Sequence, residues 1–115
     1  MIRNQYHAAI TLRMLFDKHP EIDGKVTAYL HPRGSLDLQV TSSMSPVERD
    51  EIFDYIVGVI DATSVTGLEH GSGRAAWRIA RGSYAGSIVS ASAHFEAGEA
   101  EALHVAAEAA ALASA

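Results

Sequence analysis

Cysteine is missing from this sequence altogether, which excludes disulfides, thiolate zinc sites and a cysteine nucleophile in one step. Long apolar runs are missing too. The densest, Tyr55-Ile56-Val57-Gly58-Val59-Ile60, falls well short of the ~18 residues that a membrane helix needs. Polar Asn4, Gln5 and His7 interrupt any basic-then-apolar leader pattern, so the expected setting is cytoplasmic, with no membrane partner. Basic charge is in deficit: the net charge is −5, which argues against a surface that courts nucleic acid over its whole extent. Acid is absent from His70 to Phe95, a stretch that holds Arg74, Arg78 and Arg81, while Glu96 to Ala115 holds four glutamates and no lysine or arginine. Charge is thus segregated along the chain.

What remains is an ordinary globular composition, 48% hydrophobic and 20% charged over 115 residues. That length suits one domain, residues 1–115, able to bury roughly 65% of its unfolded surface. Ala8, Ala9, Leu12, Leu15 and Phe16 recur at helical spacing and predict a helix from about Asn4 to Lys18, ended by His19-Pro20 because a residue before proline avoids the helical region. Val26, Ala28 and Leu30, then Leu36, Leu38 and Val40, alternate with polar or amphipathic neighbours across the turn His31–Gly34, which predicts a hairpin. Ser45-Pro46-Val47-Glu48 is a helix start with a hydroxyl cap and a proline at the first helical position. That helix runs to about Asp61, with Ile52, Phe53, Ile56, Val57 and Ile60 inward and Glu48, Asp50, Glu51 and Asp54 towards water or the positive helix start.

Residues 64–95 read as three strands, Ser64–His70, Arg74–Ala80 and Ser87–Phe95, joined by loops at Gly71–Gly73 and Gly82–Gly86. In that register Val65, Trp77, Ile79, Val89, Ala91, Ala93 and Phe95 share the core face, with Glu69 the misfit and Gly67 opposite Trp77. Ala97 to Ala115 has ten alanines in nineteen residues and reads as a terminal helix or tail. The order is α-β-β-α-β-β-β-α, and the expected fold is an α+β two-layer sandwich, a mainly antiparallel five-stranded sheet with helices on one face.

The same register places His70, Arg74 and His94 in one row of the outer sheet face, and Thr66, Arg78 and Ser90 in the next. Two guanidiniums flanked by imidazoles suit an anion, because the arginine fork matches phosphate or carboxylate. An outward face kept polar for solubility is the plainer account of the same residues. Gly71-x-Gly73-x-x-Ala76 with Glu96 twenty residues on imitates a dinucleotide fingerprint, yet too little chain follows to complete such a sheet. Gly82-Ser83-Tyr84-Ala85-Gly86 imitates a nucleophile elbow with the serine one place early. The six histidines show no metal-ligand spacing, and a composite of His70, His94 and Glu69 or Glu96 is opposed by the outward-inward placement of Glu69. No cofactor motif is present.

The expectation is therefore a non-enzymatic interaction module, working through a sheet face or the C-terminal helix on a protein partner or on a second copy of itself. The alternative is binding of an anionic small molecule at His70, Arg74, Arg78 and His94. Nucleic acid ranks lower because Tyr84 is the single stacking group this register supplies near that face. An enzyme with a histidine–carboxylate cleft is the third reading.

Overall fold

A computed structural model describes residues 5–66 and 75–113. The elements follow the expected order: α1 (Gln5–Lys18), a short 3-10 turn (Pro20–Ile22), β1 (Val26–Leu30), β2 (Leu36–Val40), α2 (Pro46–Val59), β3 (Ser64–Val65), β4 (Ala76–Tyr84), β5 (Ser87–Phe95) and α3 (Ala97–Ala113). They form an α+β two-layer sandwich with one five-stranded sheet in the order β1-β2-β5-β4-β3. The sheet is mixed: β2 and β5 run parallel at its centre, and the other three pairings are antiparallel. No helix among the described residues is long and apolar enough to cross a membrane.

Local chemistry explains the first half. The Ser45 hydroxyl accepts a hydrogen bond from the Glu48 amide at 3.2 Å, capping α2, and Pro46 occupies its first turn. The β1–β2 hairpin pairs Val26 with Val40 and Leu30 with Leu36, which turns Val26, Ala28, Leu30, Leu36, Leu38 and Val40 to the helices. These pack with Leu15, Ile22, Phe53, Ile56, Ile60, Val89, Ala91, Ala93, Phe95, Ala100 and Leu103 in one core. A buried hydroxyl pair, Thr11 Oγ1 and Ser87 Oγ at 2.8 Å, fastens α1 to the start of β5. The terminal helix docks by its first turns alone. Ala100 and Leu103 are buried, and every residue from His104 to Ala113 is exposed.

The β4–β5 hairpin departs from the expected register. Its turn is two residues, Ala85-Gly86, both with positive φ (49° and 83°), the geometry that matches the twist of a hairpin. Gly82 through Tyr84 therefore belong to the strand, and Trp77 pairs with His94, Arg78 with Ala93. Compared with a loop spanning Gly82–Gly86 this is an odd shift, and because side chains alternate it reverses the faces of β4. Trp77 and Ile79 are not in the core; each is 49% exposed on the open side. Ala76, Arg78, Ala80 and Gly82 face the helices instead. The expected loop Gly71–Gly73, and the positions given to Gly67, Glu69, His70 and Arg74, lie outside the described residues.

The physical reason is space. The Ser83 amide donates to the Ile60 carbonyl at 2.8 Å, so the end of α2 rests on β4, and a Cβ at Gly82 would overlap the Ile60 carbonyl oxygen. Ala80 and Gly82 are small where the end of α2 lies closest, and Trp77 and Ile79 are sent outward. Two expected outcomes follow for thermal unfolding. Gly82→Ala destabilises by about 2 kcal/mol or more through that backbone clash, and Ala85→Asn stabilises by about 0.5–1 kcal/mol because asparagine tolerates the left-handed region better than alanine. A stable Gly82→Ala protein would contradict the packing of α2 on β4.

Candidate functional site

Three charged constellations organise the molecule, and two of them are structural. Arg78, expected on the outer face beside Thr66 and Ser90, instead points to the helices. Its Nη1 donates to Asp50 Oδ1 at 2.8 Å and Asp54 Oδ1 at 2.7 Å, and its guanidinium lies 4.4 Å from the centre of the Phe53 ring. Asp50 and Asp54 are one helical turn apart on α2, so one cation can bridge both; they are not simply solvated, as their spacing suggested. Burial works to lower the Arg78 pKa, but the hydrogen bonds to both carboxylates and their charges outweigh it and raise it above the ordinary value.

Arg49 was not singled out by the sequence, yet its side chain is almost wholly buried. It donates from Nη1 to the His94 carbonyl (2.9 Å) and from Nη2 to the carbonyls of Ser42 (3.2 Å) and Met44 (2.9 Å). Both nitrogens also reach the Glu99 carboxylate, at 3.1 and 2.9 Å. One guanidinium thereby joins α2, the segment after β2, the end of β5 and the first turn of α3. Its Nε finds no partner among the described residues. Glu99 accepts in addition from the Glu96 amide at 3.0 Å. The Arg49 hydrogen bonds, then that amide, hold its carboxyl well below the usual range, at about 2.

A third constellation has a catalytic look. His19 Nδ1 lies 2.9 Å from the Tyr55 hydroxyl, which donates to Glu21 Oε2 at 2.9 Å. The Glu21 carboxyl is held low by its backbone hydrogen bond and by Tyr55, and Tyr55 is raised by Glu21. The chain is exposed and ties the 3-10 turn to α2. It lines neither of the two hollows described below.

Those hollows lie on the sheet face that no described helix covers. Its rows follow from the register. Arg81 pairs with Ser90, Ser90 with Asp37 and Asp37 with Tyr29, a line across four strands. The next line runs Ile79, Ser92, Gln39, Thr27, and in the row beyond it Trp77 meets His94 with ring centres 4.5 Å apart. Tyr29, Trp77, Ile79 and Ile88 are each about half exposed. They flank a floor of short polar side chains on the two central strands.

Near Trp77 and His94 a hollow of about 320 Å³ is lined also by Thr27, Gln39, Thr41 and Ser92. At the other end one of about 440 Å³ is lined by His31, Arg33, Ser35, Asp37, Arg81 and Ser90, with Ile88 beside them. Arg81 reaches it from β4. Arg33 reaches it from the β1–β2 turn, which closes through the Gly34 amide and the His31 carbonyl at 2.9 Å with Gly34 at φ 91°. Neither arginine forms an ion pair with a described residue. Asp37 is the one acidic residue within a described strand, and Glu96, just past β5, stands 3.9 Å from His94.

Of the four residues expected to bind an anion, His94 is on the open face, Arg78 is on the opposite one, and His70 and Arg74 lie outside the described residues. The structure does not bring Arg78 and His94 together. Tyr84, expected near the outer face, packs against the core, while Tyr29 and Trp77 take the exposed aromatic positions. Among the described residues no group of three or more histidine or carboxylate side chains is placed to hold a metal ion.

No protein-family model, curated protein or solved structure matches the chain.

The Arg49–Glu99 link has a pH signature. Glu99 sits at about 2 in the folded chain against an ordinary 4.5, so its contribution is complete above pH 4.5 and is lost as pH falls from there towards 2. We expect chemical denaturation to show about 2 kcal/mol of acid-labile stability from this group, less than the full shift because the side chain keeps 30% exposure. Glu99→Gln should flatten that part of the curve; an unchanged acid limb would show that the pair is not formed.

Proposed function

We propose that this chain is a small non-enzymatic interaction module whose binding surface is the open face of the sheet, and that its occupant is an extended, acidic segment of a partner protein. One observation carries this reading. One face that no described helix covers combines four half-exposed large apolar side chains with two arginines that have no ion-pair partner among the described residues, while the acids of the described chain, Asp37 apart, lie outside the strands.

Aromatic side chains and arginine are the residue types that dominate binding energy at protein interfaces, and here they stand at opposite ends of one face. Trp77 and Arg81 are four residues apart on β4, a separation of about 13 Å. An extended segment spans the same distance in four residues, so an apolar anchor at Trp77 and an acid at Arg81 would be four positions apart. The short floor of Ser90, Ser92, Gln39 and Thr27 leaves the backbone of such a segment room to lie flat and offers hydroxyl and amide partners to it. Charge complementarity favours an acidic partner over a second copy of this chain, whose own open face carries the same excess of arginine and histidine.

The test is selection of peptides from a random library on the immobilised protein, followed by calorimetry on the enriched sequences. The expected winners carry an apolar and an acidic residue four positions apart. Their affinity should fall about thirtyfold with Trp77→Ala and weaken with added salt. Both variants of interest, Trp77→Ala and Arg81→Ala, change exposed side chains and should keep the fold. Enrichment without acidic residues, indifference to Trp77→Ala, self-association through this face, or tighter binding of a single-stranded oligonucleotide would each overturn the reading.

A further inference from the structure

The 440 Å³ hollow at the arginine end of the open face is more cationic than an acidic side chain requires. Arg33 and Arg81 come to it from different elements, the β1–β2 turn and β4, and His31 stands on its rim. Against the two guanidiniums there is one carboxylate, Asp37, two strands from Arg81 in the cross-strand row. A carboxylate has two oxygens and is matched by one guanidinium fork. A phosphate monoester has three terminal oxygens and close to two negative charges at neutral pH, so it can engage two forks at once. Ser35 and Ser90, also lining the hollow, supply hydroxyl donors for a remaining oxygen. Asp37 repels an anion placed against it. Asp37 is left to accept a hydrogen bond from an N–H or O–H donor elsewhere on the ligand.

From this convergence we infer that the hollow is a phosphate-monoester subsite, and that the phosphate is carried on a side chain of the segment bound along the open face. The inference rests on the function proposed above and adds to it a dependence on phosphorylation. A partner would then be held by its apolar anchor at Trp77 and gated by a phosphorylated residue about 13 Å away along the strand direction.

The experiment is an amide chemical-shift titration of the whole protein with four probes: N-acetyl-O-phosphoserine amide, its unphosphorylated counterpart, inorganic phosphate and ribose 5-phosphate. Shifts centred on Arg81, Ser90 and Asp37 are expected with the phosphoserine probe and, more weakly, with inorganic phosphate, and none with the unphosphorylated probe. Arg33→Ala combined with Arg81→Ala should weaken phosphoserine binding at least tenfold, and Arg13→Ala, which removes an exposed cation from α1, should leave it unchanged. Absence of any phosphate response, or a response that survives the double arginine variant, overturns the subsite. Ribose 5-phosphate binding tenfold tighter than the phosphoserine probe overturns the protein-borne source in favour of a small phosphate ester. If peptides selected on the open face bind through Trp77 with no gain from phosphorylation, this inference fails while the proposed function stands. If phosphate binds at the arginines but no peptide depends on Trp77, the proposed function fails instead, and with it the assignment of the phosphate to a bound segment.

Discussion

Arg78 sits between the carboxylates of Asp50 and Asp54 with its guanidinium against Phe53, and this clamp sets the parity of β4. A strand has two faces and one register decides both. With Arg78 held to α2, its neighbours Trp77 and Ile79 have no place to go except the open side. A slip by one residue would strip the two aspartates of their cation and force the Trp77 indole between the sheet and α2. It would also bring a larger side chain to the point where Gly82 passes the Ile60 carbonyl. The loss of the cation by two partly exposed aspartates costs about 1 kcal/mol, and the close approach at Gly82 adds a steric penalty of its own. Both constraints act in the same direction.

The fold was legible wherever the signal was local. The Ser45 cap, the His19-Pro20 stop and the alternation of Val26, Ala28 and Leu30 with Leu36, Leu38 and Val40 each act within a few residues, and each has a single low-energy reading. The register of the last hairpin was not legible, because hydrophobicity there points the wrong way. Placing Trp77 and Ile79 inward gathers the most apolar area, but the true inner face of β4 is Ala76, Arg78, Ala80 and Gly82, chosen for the nearness of α2. That nearness is a tertiary fact. Gly82 looked like a loop boundary for the same reason: a glycine required by a neighbouring helix is indistinguishable in sequence from one required by a turn. One signal was available, since Asp50 and Asp54 a helical turn apart in an otherwise amphipathic helix ask for a cation. The candidate surface followed the register, so three of its expected residues give it no support here: Arg78 lies on the other face, and His70 and Arg74 lie outside the described residues. Tyr29 was readable as outward from β1 alone. Arg33 and Arg81 came to line one hollow only through the sheet order, which sets the single strand β5 between β2 and β4.

The two inward arginines and the two outward ones divide the labour of the molecule. Arg49 and Arg78 take up Asp50 and Asp54 of α2 and Glu99 of α3 and pin these two helices to one side of the sheet. Among the described residues that leaves the other side poor in acid, with Arg33 and Arg81 in no ion pair and Trp77 and Ile79 exposed. A face of this kind is not needed for stability, since the core closes on the helix side through Phe53, Phe95, Leu36, Leu38 and their neighbours. Exposed apolar area rimmed by polar groups is the feature on which we base the proposed recognition surface.

Trp77 is the one tryptophan in the chain, so its fluorescence reports the parity of β4 without interference. Acrylamide quenching of the native protein tests the central claim most directly. An indole half open to water beside His94 should show a red-shifted emission and be quenched nearly as readily as after unfolding. A blue-shifted, quencher-resistant emission that shifts red on denaturation would place Trp77 in the core, return Arg78 to the surface and remove the proposed recognition face.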